Sequence, residues 1–207
     1  TKTLENNAEL IGTFAAAWDD AGLHNETFWL GWATVTQYAW SVGIPELEQS
    51  TADFMDVFYG PGSSDIIDDY RLLQEGARYY EDLWDLVISR ERGPGYGSSH
   101  GKGIGVDRFD LTLSLPPLPS PGDLVMIPEF NIRYAEKIEE AAEHLDKNDQ
   151  LIAHLQQSMT RVSHNRYNLE VLLSIAYLER YAFNTVLNLS KIEKLLLNAA
   201  AEGLNFS

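Results

Sequence analysis

Trp18, Asp19 and Asp20 stand where an apolar run, Ile11 to Ala17, gives way to polar residues, and the turn-like stretch Ala21-Gly22-Leu23-His24-Asn25 follows. In a strand-to-helix unit, side chains at the end of the strand and in the following loop are the ones free to face a ligand. An indole offers its flat face to the C–H face of a pyranose ring, and a carboxylate accepts hydrogen bonds from the ring's hydroxyls. The three residues therefore suit a sugar platform, and His24 and Glu26 lie in the same loop to line the same pocket. The plainer alternative is an aspartate capping a helix beside a buried tryptophan. For Asn25 and Glu26, capping is the cheaper explanation.

Other chemistries find less support. The loop GPGYGSSHGKGIG, residues 93–105, has the glycines of a phosphate cradle, but Lys102 is followed by Gly103 rather than Ser or Thr at a helix start. The polar group His164, Asn165, Arg166, Asn168 and Glu170 sits within apolar helical sequence, where hydrogen bonding and ion pairing between helices is the usual explanation. The five histidines are scattered with no HxxxH spacing, so no metal site is expected. The central serine of Gly97-Ser98-Ser99-His100-Gly101 lies in the Gly-rich loop, which cannot form the strand-to-helix turn a hydrolase nucleophile needs, so a triad is without support, and no cofactor motif is present.

The element before the platform is read as a short strand because the sequence turns polar so sharply at its end, although it is too short and Ala-rich for periodicity to decide. The element after it is a helix, Glu26 to Val42, with Asn25 as N-cap and Gly43 and Pro45 as its stop. Phe28, Trp29, Trp32, Val35, Tyr38, Ala39 and Trp40 give it an apolar face with aromatic spill-over to both sides. Such a helix needs cover on more than one side, and the following helices are the expected cover. Ser50 or Thr51 should cap a short helix, Ala52 to Tyr59, with Phe54, Val57 and Phe58 inward and Gly60-Pro61-Gly62 ending it. Ser63 or Ser64 should cap a long helix reaching about Arg90. Asp65, Asp68 and Asp69 fall in its first turns, where the helix dipole favours them. Its stripe is Ile66, Tyr70, Leu73, Ala77, Tyr80, Leu83 or Trp84, and Val87.

Residues 93–128 are rich in Gly and Pro, and Leu111 to Leu115 forms at most a short edge strand before Pro116-Pro117. An extended segment anchored by Phe109, Leu111, Leu113 and Leu115 is expected there. From Phe130 onward the chain reads as helical. One stripe runs from Phe130 through Tyr134 and Ile138 to Leu145, and a second from Leu151 to Val162 after a break near Asn148. The third runs from Leu169 through Tyr177, Phe183, Ile192 and Leu195 to Leu196. The absence of Gly and Pro between Glu129 and Glu202 lets the last two run together.

An apolar strand with a Gly near its start, ending in Trp plus an acid and followed by a helix closing on Tyr38-Ala39-Trp40, resembles the last βα unit of the family 20 glycoside hydrolases. These are the β-N-acetylhexosaminidases and their relatives, built on a (β/α)8 barrel. The likeness covers residues 8 to 42, with a weaker one in the helical remainder. It implies that Trp18 walls the pocket of the terminal sugar and that Asp20, or less favourably Asp19, holds a sugar hydroxyl. The family's catalytic Asp-Glu pair comes from a strand in the middle of the barrel, and nothing like that strand is present. The resemblance therefore implies the tail of a larger enzyme, with no cleavage by this chain alone.

The 207 residues carry 31 acids against 15 Lys and Arg, a formal charge of −16. That surplus opposes both nucleic acid and an anionic membrane surface, and its plain meaning is solubility. No run of about 18 apolar residues marks a membrane span. Without cysteine, disulfide and thiolate chemistry are excluded and the compartment is left open. The expected fold is mainly α: an antiparallel helical bundle with a long irregular segment, 93–128, behind an N-terminal strand resembling the last barrel unit. Residues 1–45 would be the barrel fragment and 46–207 the helical domain.

Two functions are compatible with this. One is the helical C-terminal region of a family 20-like glycoside hydrolase, completing a pocket for an N-acetylhexosamine. The other is a free-standing helical interaction or scaffold module without catalysis. A homodimer through the aromatic helix is expected of the barrel fragment.

Overall fold

The computed structural model describes residues 14–16, 25–40, 46–80, 83 and 129–203. Among them the chain is mainly helical, and no strand occurs. A 3₁₀ turn, Asn25–Phe28, leads into α1, Trp29–Trp40; then come α2, Leu47–Tyr59, α3, Ile66–Tyr80, the single turn α4, Phe130–Arg133, α5, Ala135–Arg161, and α6, Arg166–Ala201. The strand expected over Ile11 to Ala17 falls mostly outside the described residues, and Phe14, Ala15 and Ala16 belong to no regular element. The extended segment 93–128 and the helix continuation to Arg90 also lie outside them, apart from Leu83, which is fully buried.

Two compact units divide the chain: Thr1–Arg71 with Ile152–Ile175, and Leu72–Leu151 with Ala176–Ser207. In the first, α1 lies on α2 through the Trp29–Phe58 ring contact at 6.2 Å and a hydrogen bond from Gln37 Nε2 to Ser50 Oγ at 3.0 Å. The start of α3 runs antiparallel to the end of α5, since Asp65 meets Arg161 and Asp69 meets His154. Met55, Tyr59, Ile66, Leu155 and Leu169 are fully buried here.

In the second unit Tyr79, Leu83, Phe130, Tyr134, Ala141, Phe183 and Val186 form one apolar cluster. α5 and α6 run antiparallel in it, with Asn148 bonded to the Ala176 carbonyl and Asn131 to that of Ser190. The residues entering α4 are fixed by Glu193, whose carboxylate accepts from the Phe130 and Asn131 amides at 2.8 and 2.7 Å. Burial works against that charge, but the hydrogen bonds from Asn131 and Phe130 hold Glu193 below the usual carboxylate range.

Several local expectations are corrected. α2 starts at Leu47, four residues before Thr51, so Ser50 and Thr51 do not cap it; their hydroxyls bond back to the carbonyls of Glu46 and Leu47. Its buried residues are Met55 and Tyr59, while Val57 points to solvent and Phe54 and Phe58 stack on each other. No break occurs near Asn148: α5 runs through it, because the buried amide donates to Ala176 instead of ending the helix. The second and third stripes do not join either. Val162 to Asn165 form a turn, with Asn165 at φ +50°, a conformation that asparagine tolerates better than most residues. Ala77, Tyr177, Ile192 and Leu195, expected in the apolar stripes, are exposed.

Candidate functional site

Of the residues expected to bind sugar, Trp18, Asp19, Asp20 and His24 lie outside the described residues. Glu26 is described. It sits in the 3₁₀ turn before α1, and its carbonyl accepts from Asn168 Nδ2 at 2.7 Å. Asn168, a member of the polar group noted in the sequence, is buried at the start of α6, and its Oδ1 accepts from the Tyr59 and Tyr70 hydroxyls. Burial, then the proximity of Tyr70, pushes the Tyr59 phenol up, so it stays a neutral donor. One amide thus fixes the turn that launches α1 to α2, α3 and α6.

The turn between α5 and α6 is fixed from α2 as well. The amides of Ser163 and His164 donate to the Tyr59 carbonyl at 3.0 and 3.2 Å, and Asn165 Nδ2 donates to that of Phe58 at 2.7 Å. Those carbonyls belong to the last turn of α2, which has no partners of its own within the helix. Gly60 permits the approach: at φ +113° a Cβ would stand 2.2 Å from Ser163 Oγ.

Beside this lies a charged group. His154 Nδ1 and Nε2 face Asp69 Oδ1 at 2.7 Å and Asp65 Oδ2 at 3.1 Å. Both partners are acceptors, so the arrangement is satisfied by the imidazolium, which donates at each nitrogen. Arg161 adds hydrogen bonds to both Asp65 oxygens and to the Gly62 carbonyl. Burial pushes Asp69 up to about 6 against the pull of His154. Burial opposes the shift at Asp65 as well, but Arg161 and then His154 hold that carboxyl below its usual range. Every member has a partner, although Asp69 Oδ2 has none. Among the described residues no group of three or more His, Asp or Glu has the geometry to hold a metal ion. The cluster ties α3 to α5 and offers no open coordination position.

Among the described residues of this unit, α1 stands open to a ligand or partner. Its sequence, WLGWATVTQYAW, carries no charge in a chain with 46 charged residues, the 15 Lys and Arg plus the 31 acids. Trp29 is 48% exposed, Trp32 37% and Trp40 91%, with Val35 also exposed. Ala15, Ala16, Thr27, Phe28, Gly31, Trp32 and Val35 line a mainly apolar groove of about 210 Å³. Of the cover expected from the following helices, the described residues show the α2 side, through Trp29–Phe58 and Gln37–Ser50.

No protein-family model, curated protein or solved structure matches the chain. Its fold and its uncovered aromatic helix are therefore the ground for a functional reading. No helix among the described residues is long and apolar enough to cross a membrane. The groove-lining Ala15, Ala16 and Gly31 were not singled out in the sequence. The signal for Gly31 was a small residue in the first turn of an otherwise aromatic helix.

Proposed function

We propose that this chain is the helical C-terminal region of a family 20-like glycoside hydrolase and docks on its catalytic barrel through the aromatic face of α1. Residues 1–45 would supply the last βα unit, with Trp18, Asp19, Asp20, His24 and Glu26 at the edge of a pocket for an N-acetylhexosamine. The chain would not cleave a glycoside alone. The observation that carries this reading is the uncharged face of Trp29, Trp32, Val35 and Trp40, left uncovered on a helix that ends on Tyr38-Ala39-Trp40. Barrel helices are flanked by neighbours on both sides, and an aromatic patch of this kind on a soluble protein marks a surface that meets another body.

A second reading has its own support. The Asn168–Glu26 hydrogen bond, the Trp29–Phe58 contact and the Gln37–Ser50 bond build α1 into a unit of this chain. A free-standing interaction module would look the same, with α1 as its docking face.

Two measurements separate these readings. As a barrel fragment, the isolated chain is expected to dimerise or aggregate in sedimentation, and Trp29→Gln with Trp40→Gln restores the monomer. N-acetylglucosamine at millimolar concentration is expected to quench the tryptophan fluorescence of the wild type and not of Trp18→Ala. A monomeric wild type with no sugar response removes the hydrolase reading and leaves the module.

A further inference from the structure

The interior of the second unit holds two polar groups that the fold leaves unanswered. Glu179 on α6 is 5% exposed and Asn148 on α5 is 3% exposed. Asn148 donates its Nδ2 to the Ala176 carbonyl at 2.9 Å, but its Oδ1 has no partner among the protein's own atoms, and neither has Glu179 Oε1. An unanswered buried acceptor costs about 1–3 kcal/mol, so two beside one cavity point to a ligand. Both line a small cavity with Gly76, His144, Lys147 and the apolar Leu72, Leu151 and Phe183; its free space for the centre of a water-sized sphere is about 10 Å³. A space of that order with polar walls accommodates one water. Gly76 makes the room, since a Cβ there would stand 2.4 Å from Glu179 Oε2.

We propose that this cavity is a binding site for a single water molecule that joins the Glu179 carboxyl to the Asn148 amide oxygen and the His144 ring. Burial pushes Glu179 up to about 8, so at neutral pH the carboxyl is uncharged and has a hydrogen to donate. The water accepts that hydrogen and gives its own two, one to Asn148 Oδ1 and one to a ring nitrogen of His144. Burial, and then the charge of Lys147, holds His144 below its ordinary value and keeps a nitrogen lone pair available.

The charged groups around the site are committed elsewhere. Lys147 on α5 donates to Glu75 of α3 at 2.8 Å, and Arg180, next to Glu179 on α6, pairs with Asp149 of α5. His144 is half-buried, with its ring stacked on Phe183 at 5.5 Å. The hydrogen-bonded path thus runs from a buried acid through one water to an imidazole that reaches the surface. A proton can pass along it without the helices separating.

Infrared spectra and an atomic-resolution crystal structure of the full chain test this. At about pH 7, below the folded value of about 8 for Glu179 and above the value of about 6 for Asp69, the wild type is expected to show a protonated-carboxyl C=O component that Glu179→Gln lacks. The crystal is expected to show one ordered water within about 3.2 Å of a Glu179 carboxyl oxygen, Asn148 Oδ1 and a His144 nitrogen. Asn148→Leu, which keeps the acid and removes one acceptor, is expected to shift the band and lose the water. A dry cavity, or a band that Glu179→Gln leaves unchanged, overturns the proposal.

Discussion

Asp69→Asn would measure what the fold does to one buried carboxyl. The side chain is 1% exposed; its Oδ1 takes the His154 Nδ1 hydrogen at 2.7 Å, and its Oδ2 has no partner. Burial raises Asp69 from 3.8 to about 6. A group raised on folding favours the folded chain in its protonated form, so its contribution is whole below the unfolded value and is lost as pH climbs through the folded one. At about 1.4 kcal/mol per pH unit, the rise to about 6 corresponds to about 3 kcal/mol lost between about pH 4 and pH 7. His154 acts in the same direction. Burial opposes its charge, but Asp69 and then Asp65 hold it above its ordinary value, so its contribution also fades as pH rises through the folded value. Asparagine at 69 keeps the shape, cannot ionise, and still offers an acceptor to His154. Urea unfolding of both proteins in steps from about pH 4 to pH 8 should therefore show the wild type losing about 3 kcal/mol more than the variant. Parallel profiles would mean that Asp69 ionises in the fold at no cost, and the reasoning would fail.

Three further outcomes follow from the same geometry. Glu193→Gln leaves one acceptor oxygen where two served the Phe130 and Asn131 amides; a loss of about 2 kcal/mol is expected, with faster hydrogen exchange at both amides. Because Glu193 is held below its usual range, the wild-type contribution is present above about pH 4.5 and lost as pH falls through the folded value, so Glu193→Gln should flatten the acid limb of unfolding. Gly60→Ala puts a methyl 2.2 Å from Ser163 Oγ at φ +113°; it should cost about 2–3 kcal/mol by chemical denaturation, and adding Ser163→Gly should relieve only the steric part. Trp40→Glu, at a position 91% exposed, should leave the unfolding free energy of the monomer within about 0.5 kcal/mol of wild type, and a larger drop would mean that α1 is already covered.

The long helices were legible because their apolar residues recur at spacings of three and four, and that signal survives individual errors. What it missed were the non-apolar members of a buried face. On α3 the buried positions are Ile66, Asp69, Leu73, Gly76 and Tyr79, a regular stripe whose second and fourth members are an acid and a glycine. Counting only apolar residues placed Asp69 at the dipole and Ala77 in the core. Asn148 shows the opposite case: a polar residue inside a stripe reads as an interruption, whereas its amide reaches across to the next helix. The turn at Val162 to Asn165 carries neither Gly nor Pro; its signal was Ser163-His164-Asn165, with an asparagine suited to positive φ. Of the sugar-binding residues read from the sequence, only Glu26 lies among those described, and what fixes its carbonyl is Asn168, 142 positions away. Sequence spacing does not reach that far.

The last carbonyls of α2 make the short connection between the two longest helices a reporter. The Ser163 and His164 amides point at Tyr59, more than a hundred residues earlier in the chain, and both lie between the end of α5 and the start of α6 rather than within either helix. If α2 swings away while α5 and α6 hold, those two hydrogens are the first to meet solvent. Their exchange rates would then time the departure of the N-terminal helices separately from the melting of everything behind them.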